Sequence, residues 1–251
     1  MKHLLGTSHP CPGLKSLSNK IGGIFFHCHS PNKYKRLDAR LERKMIEVKR
    51  TSQGKKSFKS INSIVLRFPQ FREGLKNIRS VFEVYDEDAN GAINREELKK
   101  CLQQLQINFK EEEIEDLFDS CDINGSGEIH FNEFIVLLCL MYLLAGPSTS
   151  PHKFFCITER DSLEVEAIFD TMIEAFLFLD KDGDGKLNKK DMIQALDDTC
   201  PWEKSPQHII RTRFKEMDWD RNGQVSFREF LFAFVKWAEI DTDEEITITG
   251  S

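Results

Sequence analysis

Apolar residues recur at helical spacing along most of the chain after residue 34. Leu37, Leu41, Met45 and Val48 mark one face of a helix near 34–50. Phe58, Ile61, Val65 and Phe68 mark a second, over 57–69, which Pro69 is expected to end. Eight shorter stripes follow. Ile78, Val81, Phe82 and Tyr85 make the first, and Leu98, Cys101, Leu102 and Leu105 the second. Ile114, Leu117 and Phe118 precede Phe134, Ile135, Leu137 and Leu138. Ile168, Phe169, Met172 and Phe176 precede Met192, Ile193 and Leu196. Ile210, Phe214 and Met217 precede Phe230, Leu231, Phe234 and Val235. The stretch 134–145 is apolar nearly all round, so another element must cover it. The helix at 57–69 is the nearest candidate.

Between the paired stripes the polar positions repeat. A 12-residue run of oxygen-bearing side chains with a central Gly occurs at 86–97, 122–133, 180–191 and 218–229. Oxygens at positions 1, 3, 5, 7, 9 and 12 of such a run can surround a hard cation. The Gly at position 6 permits the sharp turn, and position 7 offers its backbone carbonyl. The candidate ligands are Asp86, Asp88, Asn90, Ala92 and Glu97 in the first loop, and Asp218, Asp220, Asn222, Gln224 and Glu229 in the fourth. Both sets are complete. The third offers Asp180, Asp182, Asp184 and Lys186, then Asp191 where the longer Glu is expected. That shorter arm suits a six-coordinate ion, so this loop admits magnesium as well as calcium. The second offers Asp122, Asn124, Ser126, Glu128 and Glu133. Only two of its side chains are carboxylate ligands, against three in loops one and four. The expected affinity order is loops one and four, then three, then two.

Position 8 is apolar each time, as Ile93, Ile129, Leu187 and Val225. These residues predict short antiparallel bridges, Ile93 with Ile129 and Leu187 with Val225. The loop starts, at 86, 122, 180 and 218, fall into two close pairs with a wider middle gap. The expected organisation is a basic leader over 1–56, the helix over 57–69, one pair over 70–145, a Pro- and Ser-containing linker over 146–162, a second pair over 163–239 and an acidic tail over 240–251.

Charge adds the leader to this picture. The chain of 251 residues has a net charge of −6, but residues 1–60 carry 14 Lys/Arg and 3 Asp/Glu. The remaining 21 Lys/Arg and 38 Asp/Glu make the rest strongly acidic, at −17 against +11. The basic arm could lie on the body or touch a membrane surface weakly; no nucleic acid partner is expected. The seven cysteines lie at irregular spacing, as reduced thiols of a cytoplasmic protein would. His27, Cys28 and His29 form too small a set for a metal site. Residues 1–37 lack acidic side chains, which leaves an organelle-targeting segment open.

Motifs such as Val84-Tyr85-Asp86-Glu87-Asp88-Ala89-Asn90-Gly91 and Glu216-Met217-Asp218-Trp219-Asp220 resemble EF-hands. The two-plus-two arrangement from about 75 to 238 is similar to calmodulin, and the whole most resembles the plant calmodulin-like calcium-binding proteins. The resemblance implies a mostly α fold of two EF-hand lobes, each a pair of helix-loop-helix units. It implies calcium-driven opening of grooves lined by residues such as Phe82, Leu102, Phe118 and Leu138, or Phe169, Met192, Phe214 and Phe234. Amphipathic helices of target proteins would then be captured. A calcium buffer, or a regulatory EF-hand subunit of a kinase or phosphatase, stays open as an alternative. No catalytic motif is present, so no enzymatic activity is expected. The helix at 57–68, with Lys56, Lys59 and Arg67 nearby, itself looks like a target helix and could occupy a groove of its own protein.

Overall fold

The computed structural model describes residues 34–52, 58–104, 107, 109–145, 159–197 and 207–238. Residues 1–33, the 146–158 part of the linker and the tail from 239 lie outside the described residues. So do the His27-Cys28-His29 triplet and Leu105.

Ten helices occur among the described residues: α1 (Lys35–Thr51), α2 (Ile61–Val65), α3 (Phe68–Tyr85), α4 (Arg95–Gln104), α5 (Glu111–Cys121), α6 (Phe131–Ala145), α7 (Glu159–Leu179), α8 (Lys189–Asp197), α9 (Gln207–Met217) and α10 (Phe227–Trp237). Helices α3 to α6 carry the first loop pair, and α7 to α10 the second. The bridges form as their apolar positions predict. Ile93 and Ile129 exchange both N–H···O bonds, at 2.9 and 2.8 Å, and Leu187 and Val225 do so at 2.9 and 2.7 Å.

The helix expected over 57–69 is not continuous. A short α2 ends at Val65, and α3 begins at Phe68 with Pro69 in its first turn. Proline lacks an N–H, which the first turn does not need, and its fixed φ suits a helix start. Pro69 therefore opens a helix instead of closing one. Phe58, Ile64 and Phe68 are buried nonetheless.

The two loop pairs share one core. Phe68 and Phe71 of α3 pack edge-on against Phe234 of α10, with ring centroids 5.2 and 5.0 Å apart. Helix α3 also crosses α7 at Gly74, so closely that an added Cβ would lie 2.1 Å from Ile168 Cδ1. Tyr142 of α6 donates a hydrogen bond to Asp170 of α7 at 3.0 Å.

The apolar α6 is enclosed by α5, α3, α10 and α1. Its cover thus includes α1 and α10, which the sequence spacing does not point to. Leu37, Leu41 and Met45 of α1 are buried, at 3, 1 and 0 % exposure. Each such side chain contributes about 1.5–3 kcal/mol when removed from water, so the leader helix is part of the fold. Polar contacts hold its first turns. Tyr34 donates to the carbonyl of Asp119 at 2.6 Å, and Arg40 pairs with Glu113 of α5 at 2.8 Å. Segment 57–68 reaches the second pair through Phe58, 6.5 Å from Phe178.

Candidate metal centres

Each loop is built by the helix that follows it. Position 9 is the residue before that helix, and position 12 lies in its first turn. An Asn or Ser at 9 with a carboxylate at 12 can therefore close a reciprocal cap. In loop one Glu97 N donates to Asn94 Oδ1 at 3.0 Å, and Asn94 N donates to Glu97 Oε2 at 2.8 Å. Asn188 with Asp191 does the same in loop three, at 3.2 and 2.8 Å. Ser226 with Glu229 does so in loop four, at 3.3 and 2.9 Å. In loop two the capping position is His130. Its N–H donates to Glu133 Oε2 at 2.9 Å, and its imidazole Nδ1 lies 3.5 Å from the same oxygen.

The rest of each loop winds around the position 1 carboxylate. Asp86 accepts from the amides of Asn90 and Gly91, and Asp122 from those of Ser126 and Gly127. Asp180 accepts from Gly183 and Gly185, and Asp218 from Gly223. The position 5 oxygen accepts from the position 7 amide in all four loops: Asn90 from Ala92 at 2.8 Å, Ser126 from Glu128 at 3.3 Å, Asp184 from Lys186 at 2.8 Å and Asn222 from Gln224 at 2.7 Å. Gly91, Gly127, Gly185 and Gly223 all have φ between 81 and 87°, a region closed to most side chains.

The loops differ in the charge they concentrate. Oxygens of Asp86, Asp88 and Glu97 lie within 4.8 Å of one another, as do those of Asp218, Asp220 and Glu229. In loop three the trio is Asp180, Asp182 and Asp184, without Asp191. Asp191 is one methylene short, and its Oδ1 accepts from the amides of Lys181 and Asp182 at 3.2 and 3.4 Å. Among the described residues loop two makes no such trio. There the Ser126 hydroxyl donates to the Glu128 carbonyl at 2.9 Å.

A divalent cation with oxygen preference fits this donor set. The clearest sign is Glu229 Oε1, which is buried and has no hydrogen-bond partner. A buried acceptor left so is costly unless a cation meets it. Burial pushes the Glu229 carboxyl up to about 7. Burial also raises Glu133, Asp180 and Asp218 above the ordinary carboxylate range.

A family model for the EF-hand domain pair matches residues 75–138 and 169–235. The chain is 53% identical over 214 residues to the probable calcium-binding protein CML22 of Arabidopsis thaliana, covering 85% of this chain and 93% of that protein. This chain belongs to the calmodulin-like EF-hand proteins. Probable calcium-binding protein CML21 of the same plant is 46% identical over 209 residues, 82% of this EF-hand protein and 88% of the relative. Troponin C of Tachypleus tridentatus is 30% identical over 163 residues, 64% of this chain and 92% of its own length.

Some residues around the loops escape the 12-residue pattern. Arg228, next to Glu229, is buried. It pairs with Asp38 of α1 at 3.3 Å, donates to the Ser120 carbonyl at 3.4 Å, and lies over the rings of Tyr34 and Trp219. Lys49 and Glu42 of α1 touch loop three. Trp219 apart, no signal within the loops points to these contacts, because each other partner lies more than 100 residues away. Among the described residues no helix is long and apolar enough to cross a membrane.

Proposed function

We propose that this chain is a calcium sensor without catalytic activity, and that occupancy of its loops governs the binding of target proteins. The observation that carries this reading is the double duty of position 12. Glu97, Glu133, Asp191 and Glu229 each offer a carboxylate to the loop while sitting in the first turn of the exiting helix. A shift of that carboxylate must carry α4, α6, α8 or α10 with it. A calcium ion, when bound, supplies the positive charge that gathers the carboxylates. Its ligands would be Asp86, Asp88, Asn90, the Ala92 carbonyl and Glu97 in loop one, with the corresponding residues in the other three. Loop three, where Asp191 stands apart from the trio, would take magnesium as well.

The bridges make each pair act together, since Ile93 and Ile129, or Leu187 and Val225, cannot move alone. The groove residues Phe82, Leu102, Phe118, Leu138, Phe169, Met192, Phe214 and Phe234 are all buried. Opening would expose some of them to an amphipathic helix. That same burial favours a second reading, a buffer that binds calcium without opening.

Titrating calcium while following a hydrophobic dye separates the two. A rise in dye fluorescence that saturates with calcium is expected. Calcium uptake by calorimetry with no change in dye binding would leave the buffer.

A further inference from the structure

Loop three is the only described loop on which another part of the chain sits at the sixth position. At Gly91, Gly127 and Gly223 an added Cβ would meet nothing within 4 Å. At Gly185 it would lie 2.7 Å from the carbonyl oxygen of Glu42 and 3.1 Å from its Cα. At Gly183 it would lie 3.0 Å from Lys49 Nζ. Helix α1 therefore rests on this loop, backbone against backbone. Charge follows the same line: Lys186, at position 7, pairs with Glu42 Oε1 at 3.1 Å. The Lys49 ammonium donates to the carbonyl of Asp180 and lies 3.7 Å from Asp180 Oδ2. The Asp180 side chain, at position 1, is itself 0 % exposed.

We propose that Lys49 is an affinity-setting residue of the third metal site, an internal cation that holds the position 1 carboxylate and opposes ion binding there. The inference rests on the reading that loop three takes a divalent ion. Two cations on one buried carboxylate repel each other, though the one-third exposure of the Lys49 side chain screens part of that repulsion. Seating of the second half of α1 and occupancy of loop three then work against each other. The coupling is reciprocal: whatever factor Lys49 removes from calcium affinity, calcium removes from the docking of α1. A blander role exists for the same contact. The Asp180 carbonyl ends α7, and a lysine there caps a helix C-terminus. A pure cap predicts a less stable protein with unchanged or weaker ion binding when Lys49 is lost.

The test uses the full chain and calcium alone, read by NMR at the Gly185 amide, which donates to Asp180 Oδ2 at 3.2 Å. Lys49→Gln is expected to tighten calcium binding at loop three about fivefold, the low end of ordinary couplings. Lys49→Arg keeps the charge and should change it little. Lys44→Gln makes the same charge change on α1, where the side chain pairs with Glu47, and should shift loop three less than Lys49→Gln does. Loop one, read at the Gly91 amide, should not respond to Lys49→Gln.

Amide hydrogen exchange of residues 45–51 supplies a readout that survives if Lys49→Gln fails to fold. Calcium should speed this exchange in the wild type and not in Asp182→Ala. Unchanged or weaker binding in Lys49→Gln, or exchange in α1 indifferent to calcium, overturns the proposal. A silent Gly185 amide at saturating calcium, with loops one and four responding, also overturns it and leaves the sensor standing. Silence in all four loops would remove the sensor reading itself.

Discussion

Gly74 offers a direct test of how closely the two loop pairs are joined. In an isolated helix, Gly74→Ala would stabilise α3 by about 1 kcal/mol. Here the new Cβ would fall 2.1 Å from Ile168 Cδ1, on a side chain only 7 % exposed. Over-filling a packed contact costs about 1–3 kcal/mol, so the clash outweighs the helix gain. The net expectation is a loss of about 1 kcal/mol. Ile168→Val removes the offending methyl, at a cost of its own of about 1 kcal/mol. In that background Gly74→Ala meets only the Cγ1 position, 3.0 Å away, and the helix gain should show. The same substitution should thus change sign, from destabilising to neutral or stabilising. Urea denaturation of the four proteins, in one buffer with chelator, measures the cycle. An equal effect of Gly74→Ala in both backgrounds, or a stabilised single variant, would refute the close α3–α7 crossing.

Three further outcomes follow from the same contacts. Asp191→Glu should raise the preference of loop three for calcium over magnesium by about tenfold, because the longer arm can join the trio; competitive calorimetry with the two ions checks it, and an unchanged ratio would count against the short-arm argument. Arg228→Met should destabilise the protein by about 2 kcal/mol, less than for a fully buried pair because the Asp38 side chain is 23 % exposed, and adding Asp38→Asn should restore part of the loss in a denaturant titration. Burial, and then the Asp170 carboxylate, push the Tyr142 phenol above its ordinary range. A raised phenol stabilises the fold below the unfolded value of about 10 and loses that contribution as pH rises, so the stability gap between wild type and Tyr142→Phe should narrow above pH 10; a gap that widens there would contradict the burial.

The loops are legible in the sequence because their own caps and turns lie within 12 consecutive residues, and the bridges because each loop repeats an apolar residue at position 8. Asn94 with Glu97, and Ser226 with Glu229, form caps inside the candidate loops, so local rules alone place them. Helix α1 is legible as a helix for the same reason, through Leu37, Leu41 and Met45. Its destination is not. The helix meets α6, α7 and α10, whose positions depend on the whole fold. Nearness in sequence points to the 57–68 segment as the cover of α6, whereas tertiary packing brings in α1 and α10. Pro69 is ambiguous on its own, since proline either stops a helix or starts one; the burial of Phe68 and Phe71 against Phe234 decides it. The inequality of the loops is half legible. The charge count sets loop two apart, but only the structure adds the missing reciprocal cap at His130 and the weight of α1 on loop three.

The pairing of Asp38 with Arg228 spans 190 residues of chain. Synthesis proceeds at about 5–20 residues per second, so α1 would leave the ribosome roughly 10–40 s before its partner is made. For that interval α1, with its buried Leu37, Leu41 and Met45, has no α10 to pack on. Among the described helices the leader helix is made first, and it is among the last to find its partner. A nascent chain stalled before residue 228 should therefore present a basic, apolar-faced helix to whatever chaperone or membrane surface is near, and release of the finished chain should withdraw it.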